Sequence, residues 1–184
     1  MKKELFSTKT IVATGLGGAL FMVLFMFVKV PSPVPETNLQ IAYGVSAFFA
    51  AVFGPLCGFL VAFIGHALSD FITYGSPWWS WVVASGVSAL IAGFSYYKLN
   101  IEEGEFEKKD IITYNIFQVL GNAVAWLLVA PALDVIIYSE PMNVVIAQGV
   151  IAFVMDALVA GIVGTLLLIA YSKTKTKKGS LSRE

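Results

Sequence analysis

Eleven of the twelve basic residues in this chain of 184 residues fall in three short segments: Lys2, Lys3 and Lys9 at the start, Lys98, Lys108 and Lys109 in the middle, and Lys173, Lys175, Lys177, Lys178 and Arg183 at the end. Long apolar runs separate the three. Basic residues collect on the cytoplasmic side of membrane proteins. An even number of bilayer crossings between one cluster and the next would therefore put every cluster inside and leave only the lone Lys29 elsewhere. The chain reads as an all-α polytopic membrane protein with both termini cytoplasmic.

Composition leads to the same class by a separate route. Hydrophobic residues make up 58% of the chain and charged residues 13%, against about 25% charged residues in a soluble domain. A soluble enzyme is excluded, and no segment is large enough for a separate ATPase or hydrolase domain, so residues 1–184 form one transmembrane domain. The net charge is zero, which gives nucleic acid no electrostatic reason to bind. The only cysteine, Cys57, sits inside an apolar run and has no partner for an internal disulfide. No cofactor or metal is called for. The start Met1-Lys2-Lys3 could open a secretory signal, but the run Ile11 to Val30 is 20 residues long and ends in Pro31-Ser32-Pro33. That is the length of a bilayer crossing, and it lacks a small-x-small cleavage site.

Six spans fit the basic clusters. Span 1 covers roughly residues 10–30 and runs outward, and the proline-rich Pro31 to Thr37 follows as an external loop. The stretch Ile41 to Thr73 would be about 50 Å long as one helix, too long for a single crossing. Gly54-Pro55 divides it into a short span 2 (40–53) and a span 3 (56–73) joined by a tight turn. Tyr74 to Trp79 is an external turn with interfacial aromatics, and span 4 (80–97) returns to a charged cytoplasmic loop, Lys98 to Lys109. Span 5 (110–137), kinked at Pro131, leads through Tyr138 to Pro141 into span 6 (142–171).

Polar residues at membrane depth are costly and therefore candidate functional groups. His66 and Asp70 lie four apart on one face of span 3, a spacing that suits ligand binding, a structural hydrogen bond or a proton relay. Span 5 carries Asn115, Gln118, Asn122 and Trp126 as one stripe. Interhelical bonding explains the first two, while Asn122 and Trp126 lie further out, where they could reach a solute. Gln148 falls in the outer half of span 6. Asp156 lies deeper, as a structural or interface group, and Asp134 lies at the outer surface, where water can solvate it. Trp78, Trp79 and Trp81 crowd the outer boundary. An aromatic belt accounts for at least one of them, yet three indoles within four residues cannot all face lipid, so at least one should turn over the external mouth as a stacking surface. Asn38, Gln40 and Tyr43 could add hydrogen bonds from the end of the first loop. In span 1, Ala13-x-x-x-Gly17 and Gly15-x-x-x-Ala19 make small-residue surfaces that admit another helix, from the bundle or from a partner.

Six short spans, this small-xxx-small stripe, the run Val52-Phe53-Gly54-Pro55-x-x-Gly58-Phe59-x-x-x-Phe63-Ile64-Gly65-His66-Ala67-Leu68-x-Asp70 and the segment Tyr74-Gly75-Ser76-Pro77-Trp78-Trp79-Ser80-Trp81 resemble the substrate-specific (S) components of energy-coupling factor (ECF) transporters, in the riboflavin-transporter-like group. The resemblance covers nearly the whole chain. It implies a subunit of the bacterial plasma membrane that captures a vitamin or related flat heterocycle from outside, without being an enzyme itself. Import would then depend on a transmembrane coupling subunit and two ABC ATPase subunits. No G-x-x-x-x-G-K-[ST] phosphate loop is present in this chain. The resemblance also implies docking of the coupling subunit on the Ala13/Gly17 and Gly15/Ala19 surfaces, although glycine replaces the second alanine of the family's Ala-x-x-x-Ala motif. A stand-alone proton-coupled carrier using His66 and Asp70, or a non-transporting scaffold, are the alternatives.

Single cysteines at Ser32, Ser76 and Glu103 in a Cys57→Ser background test the topology with an impermeant thiol reagent on intact cells. Positions 32 and 76 should label and position 103 should not; the reverse pattern would overturn the six-span arrangement.

Overall fold

A computed structural model describes residues 7–175. Lys2, Lys3, Lys177, Lys178 and Arg183 lie outside the described residues. Among the described residues, six helices form one bundle. Five are long and apolar enough to cross a membrane: α1 (Thr8–Phe27), α3 (Pro55–Tyr74), α4 (Trp79–Tyr97), α5 (Lys108–Tyr138) and α6 (Met142–Lys173). The sixth, α2 (Ala42–Phe53), has only 12 residues, about 18 Å of helix. Nine of those twelve residues are buried, because α2 occupies the centre and packs against α1, α3, α4 and α6. The outer helices show the opposite pattern. Ile11, Leu16, Leu20 and Phe27 of α1 and Ile112, Ile116 and Leu120 of α5 expose large apolar side chains, a face that hydrocarbon can solvate and water cannot.

The first connection differs from the expected loop. Helix α1 stops at Phe27, three residues before the end of the apolar run, and the chain turns into an antiparallel hairpin of β1 (Lys29–Pro31) and β2 (Asn38–Gln40) with Lys29 opposite Gln40. Hydrophobicity does not distinguish Val30 in a helix from the same residue in a strand; its β-branching favours the strand once proline blocks further helix.

The break between α2 and α3 falls at Gly54, with φ 100° and ψ 169°. Only glycine occupies that region without strain, and Pro55 at the first position of α3 has the φ a helix start needs. At the next charged connection, Glu107 and Asp110 form a reciprocal capping box that opens α5.

Helix α5 carries two wide π turns, Ala125–Val129 and Asp134–Tyr138, on either side of Pro131. Pro131 has no N–H to donate. The turn before it re-forms its bonding at i→i−5, the Ala130 N–H reaching the Ala125 carbonyl. In a regular α-helix, side chains four apart drift by about 40° per step, so Asp134 would sit about 160° round from Gln118. The wide turn at Ala125–Val129 reduces this drift, and Gln118, Asn122, Trp126, Ala130 and Asp134 are all buried.

Both ends of the described chain meet the charged loop. Glu102 accepts hydrogen bonds from Lys9 Nζ (2.9 Å) and Tyr171 Oη (2.7 Å) and pairs with Lys175 Nζ at 3.1 Å. Partial burial pushes its carboxyl up, but these three donors outweigh it and hold the pKa below the ordinary glutamate value. Whatever stability the cluster adds is therefore present above the ordinary glutamate pKa and is lost as pH falls through the lower folded value.

Gly54→Ala should lower the stability of the detergent-solubilised protein by about 1–3 kcal/mol, read as a lower thermal unfolding midpoint. An unchanged midpoint would mean that the α2–α3 turn relaxes freely.

Candidate functional site

At the end of the bundle opposite the Glu102 cluster, a cavity of about 520 Å³ opens between the hairpin and helices α2 to α6. Its size falls in the range of small-molecule sites, roughly 300–1,000 Å³. Local periodicity supplies each wall. Asn38 and Gln40 alternate on β2 and share a strand face; His66, Asp70 and Tyr74 follow one another at i+4 on α3, as do Gln148, Ala152 and Asp156 on α6. Phe25 reaches in from the end of α1, Lys29 from the start of β1, Tyr43 from the start of α2, and Trp78 and Trp81 from the start of α4.

Asp134 holds the rim. Its Oδ1 accepts the indole N–H of Trp78 (2.8 Å) and the hydroxyl of Ser80, and its Oδ2 accepts the indole N–H of Trp81 (2.8 Å). The carboxylate is only 2% exposed. The expectation that water solvates Asp134 is thus corrected: the residue is buried, and three donors at the start of α4 take the place of solvent. Trp78 also stacks on Tyr138, with ring centroids 4.0 Å apart.

One polar chain crosses the cavity wall. Tyr43 Oη lies 3.1 Å from Ser85 Oγ, which lies 2.7 Å from His66 Nδ1. On the far side of the imidazole, Nε2 is 3.5 Å from Asp70 Oδ1, while Asp70 Oδ2 accepts the Trp78 backbone N–H at 3.0 Å. The 3.5 Å step is longer than a good hydrogen bond. The ring of Phe25 lies 4.2 Å from the imidazole centroid.

Of the residues singled out by sequence, Asn38, Gln40, Tyr43, His66, Asp70, Trp78, Trp81 and Gln148 border the cavity; Trp79, Asn122 and Trp126 do not. Trp79 is 47% exposed, and its ring lies beside Phe63 on the outer side of the bundle. Asn122 is occupied on every side. Its Oδ1 accepts from Ser88 Oγ and from Trp126 Nε1, and its amide donates to Gln118. Gln118 and Asn115 continue the ladder to the Ala157 carbonyl and Thr165 Oγ1 on α6. Trp126 forms a second layer, edge-on to Tyr43 at 5.5 Å and 5.2 Å from Trp81. Gln148 Nε2 donates to the Pro35 carbonyl at the hairpin tip, so it also ties the roof to α6.

Sequence reasoning missed Phe25, Lys29, Glu36 and Glu140 as lining residues and gave Asp156 a structural role. Asp156 was legible in part, since it lies eight residues from Gln148 and hence on the same side of α6. The small-residue stripe on α1 splits between two faces. Ala13 and Gly17 are buried, and a Cβ on Gly17 would come within 2.7 Å of Val61 and 3.0 Å of Phe49. Gly15 and Ala19 are exposed, and a Cβ on Gly15 would meet nothing within 4 Å.

Solved structures share this architecture. Over 88% of this chain, the fold superposes with a TM-score of 0.61 and 15% identity on the S-component for biotin from an ECF-type ABC transporter (89% of that chain). The same figures hold for FolT bound with folic acid, where 98% of that chain is covered. Sequence relatives are much nearer. UPF0397 proteins of Enterococcus faecalis (50% identical, 99% of this chain and 100% of the relative), Streptococcus gordonii (52%, 97% and 96%) and Clostridium perfringens (50%, 100% and 100%) align end to end. The fold is that of an S component, a class of membrane transporter subunit rather than of enzyme. Residues 5–173 match the family described as ECF-type riboflavin transporter, S component, and the chain belongs to it.

Asp134→Ala would strand two indole N–H groups and one hydroxyl. A buried donor left unsatisfied costs about 1–3 kcal/mol, so the variant should lose at least about 2 kcal/mol of stability, measured by thermal unfolding in detergent. A variant as stable as the parent would show that solvent already serves these donors.

Proposed function

We propose that this chain is the solute-capturing subunit of an ECF-type importer. It takes a flat, vitamin-like heterocycle into the cavity from outside the cell, and a transmembrane coupling subunit with two ABC ATPase subunits drives release to the cytoplasm. The observation that carries this reading is the cavity. It has the volume of a small-molecule site, aromatic walls from Phe25, Tyr43, Trp78 and Trp81, and a roof made by a hairpin. The aromatic faces suit a planar ring. The basic residues Lys9 and Lys175 gather at the opposite end, so the positive-inside rule turns the cavity outward. Membership of the family, and the vitamins named for the two structural neighbours, biotin and folic acid, support the same class of cargo.

Of the four small residues on α1, Gly15 and Ala19 form the face open to the coupling subunit, since Ala13 and Gly17 are already covered by α2 and α3. Within the cavity, Asn38, Gln40, Tyr43, His66, Asp70, Trp78, Trp81 and Gln148 are the ligand contacts of this proposal, with Asn122 and Trp126 supporting them from behind.

Mass spectrometry of small molecules that copurify with the detergent-solubilised protein should find a planar heterocycle. Uptake of that compound should require co-expressed coupling and ATPase subunits; uptake without them would favour a stand-alone carrier, and no binding at all a scaffold. Trp81→Ala should weaken its affinity about ten- to a hundred-fold, the equivalent of losing one stacking contact of roughly 1–3 kcal/mol. Gly15→Trp should abolish pull-down of the coupling subunit while leaving that affinity within a few-fold, and normal assembly would remove the docking assignment.

A further inference from the structure

The charge around the cavity is one-sided. Five carboxylates border it, Glu36, Asp70, Asp134, Glu140 and Asp156, against a single amine, Lys29, among the described residues. Acidic side chains at a mouth are commonly solvated, and Glu36 and Glu140 need no other explanation. Asp70 and Asp134 are engaged by donors of the protein itself. Asp156 is different. It lies in the middle of α6, is 2% exposed, borders the cavity, and its Oδ1 has no hydrogen-bond partner among the described residues. On β2, at the same cavity, the buried Oε1 of Gln40 is likewise without a partner among the described residues.

Both orphaned atoms are acceptors. A carboxylate taken out of water into a bundle interior is strongly disfavoured unless a cation or several donors meet it. Here the protein supplies neither to Oδ1, although it gives Asp134 donors on both oxygens and Asp70 the Trp78 backbone N–H. A solute that brings donors or positive charge would meet both orphaned acceptors. The rings that border the same space, Phe25, Tyr43 and Trp81, attract a cation through their faces. They would gain nothing from an anion.

We infer that the solute is a cationic nitrogen heterocycle whose charged or N–H-bearing end pairs with Asp156, with Gln40 Oε1 accepting a second N–H. This rests on the solute-capture reading above and narrows it, because it rejects carboxylate- and phosphate-bearing compounds and gives neutral flavins no privileged contact. Asp156 then sets selectivity for charge, while the aromatic walls set selectivity for shape.

The test uses the full-length protein in detergent and a panel matched for ring type: pyridoxamine and thiamine as cations, pyridoxine and riboflavin as neutral compounds, pyridoxic acid and folic acid as anions. Binding is measured by thermal shift and by isothermal titration. At least one cationic probe should bind ten-fold or more tightly than every neutral and anionic one, and Asp156→Asn should reduce that preference at least ten-fold while leaving neutral probes within two-fold. A packing role for Asp156 would change the melting temperature and leave the ratio of cationic to neutral affinity alone. Tightest binding by a neutral or anionic probe overturns the charge assignment and leaves solute capture standing. Absence of binding by all six overturns the charge assignment, and capture itself fails only if no copurifying heterocycle is found either. Should Asp156→Asn not fold, the ranking of the six probes on the unmodified protein still decides.

Discussion

A carboxylate at membrane depth has no water to solvate it, and Asp134 answers that constraint with the indole N–H groups of Trp78 and Trp81 and the hydroxyl of Ser80. The consequences extend along the whole rim. The start of α4 is fixed to the end of α5, Trp81 is held with its ring toward the cavity, and the Trp78 backbone N–H is presented to Asp70. From Asp70 the contacts pass to His66, Ser85 and Tyr43, so that α2, α3, α4 and α5 are registered at one end by a single series of polar contacts. Tryptophan suits this task because its large apolar body tolerates hydrocarbon while one N–H remains to be placed.

The polar groups of the bundle divide by whether the protein completes them. The ladder from Asn115 through Gln118 and Asn122 to Trp126 is internally saturated and also bonds α5 to α4 and α6. Such a network adds rigidity, because every member would be costly to expose to hydrocarbon. Asp156 and Gln40 each keep a buried acceptor that the protein leaves open. One bundle thus uses polar residues in two ways, and the difference lies in their partners rather than in their chemistry or depth.

Small residues show a similar division. Gly17 has no side chain because α3 and α2 come too close to allow one, whereas Gly15, two positions away and on the other side of the same helix, faces open space. The central α2 explains the crowding on the inner face. A helix of 12 residues, surrounded on all sides, needs close approach from its neighbours to be buried at all, and in a membrane close packing is the main source of helix association.

The sequence by itself determined the class of protein and the number of helices, because hydrophobic length and basic clusters respond to the bilayer directly, residue by residue. The Gly54-Pro55 break was legible for the same reason: it depends on the φ/ψ limits of two residues and on nothing distant. Much of the cavity was legible too, since the i+4 pair His66 and Asp70 and the alternating Asn38 and Gln40 are matters of local periodicity. Tertiary structure alone decided the rest. Asp134 is buried on the same series as Gln118 with a wide turn between them, and such an alternation of wide and regular turns cannot be counted from a 3.6-residue repeat. Asn122 and Trp126 fall behind the wall because Ser88, on a neighbouring helix, and Gln118, one turn away, engage Asn122, which in turn accepts the Trp126 indole N–H. Asp156 acquires its meaning only from what surrounds it, since whether a buried carboxylate is paired is a property of the assembled bundle and leaves no mark in the local sequence.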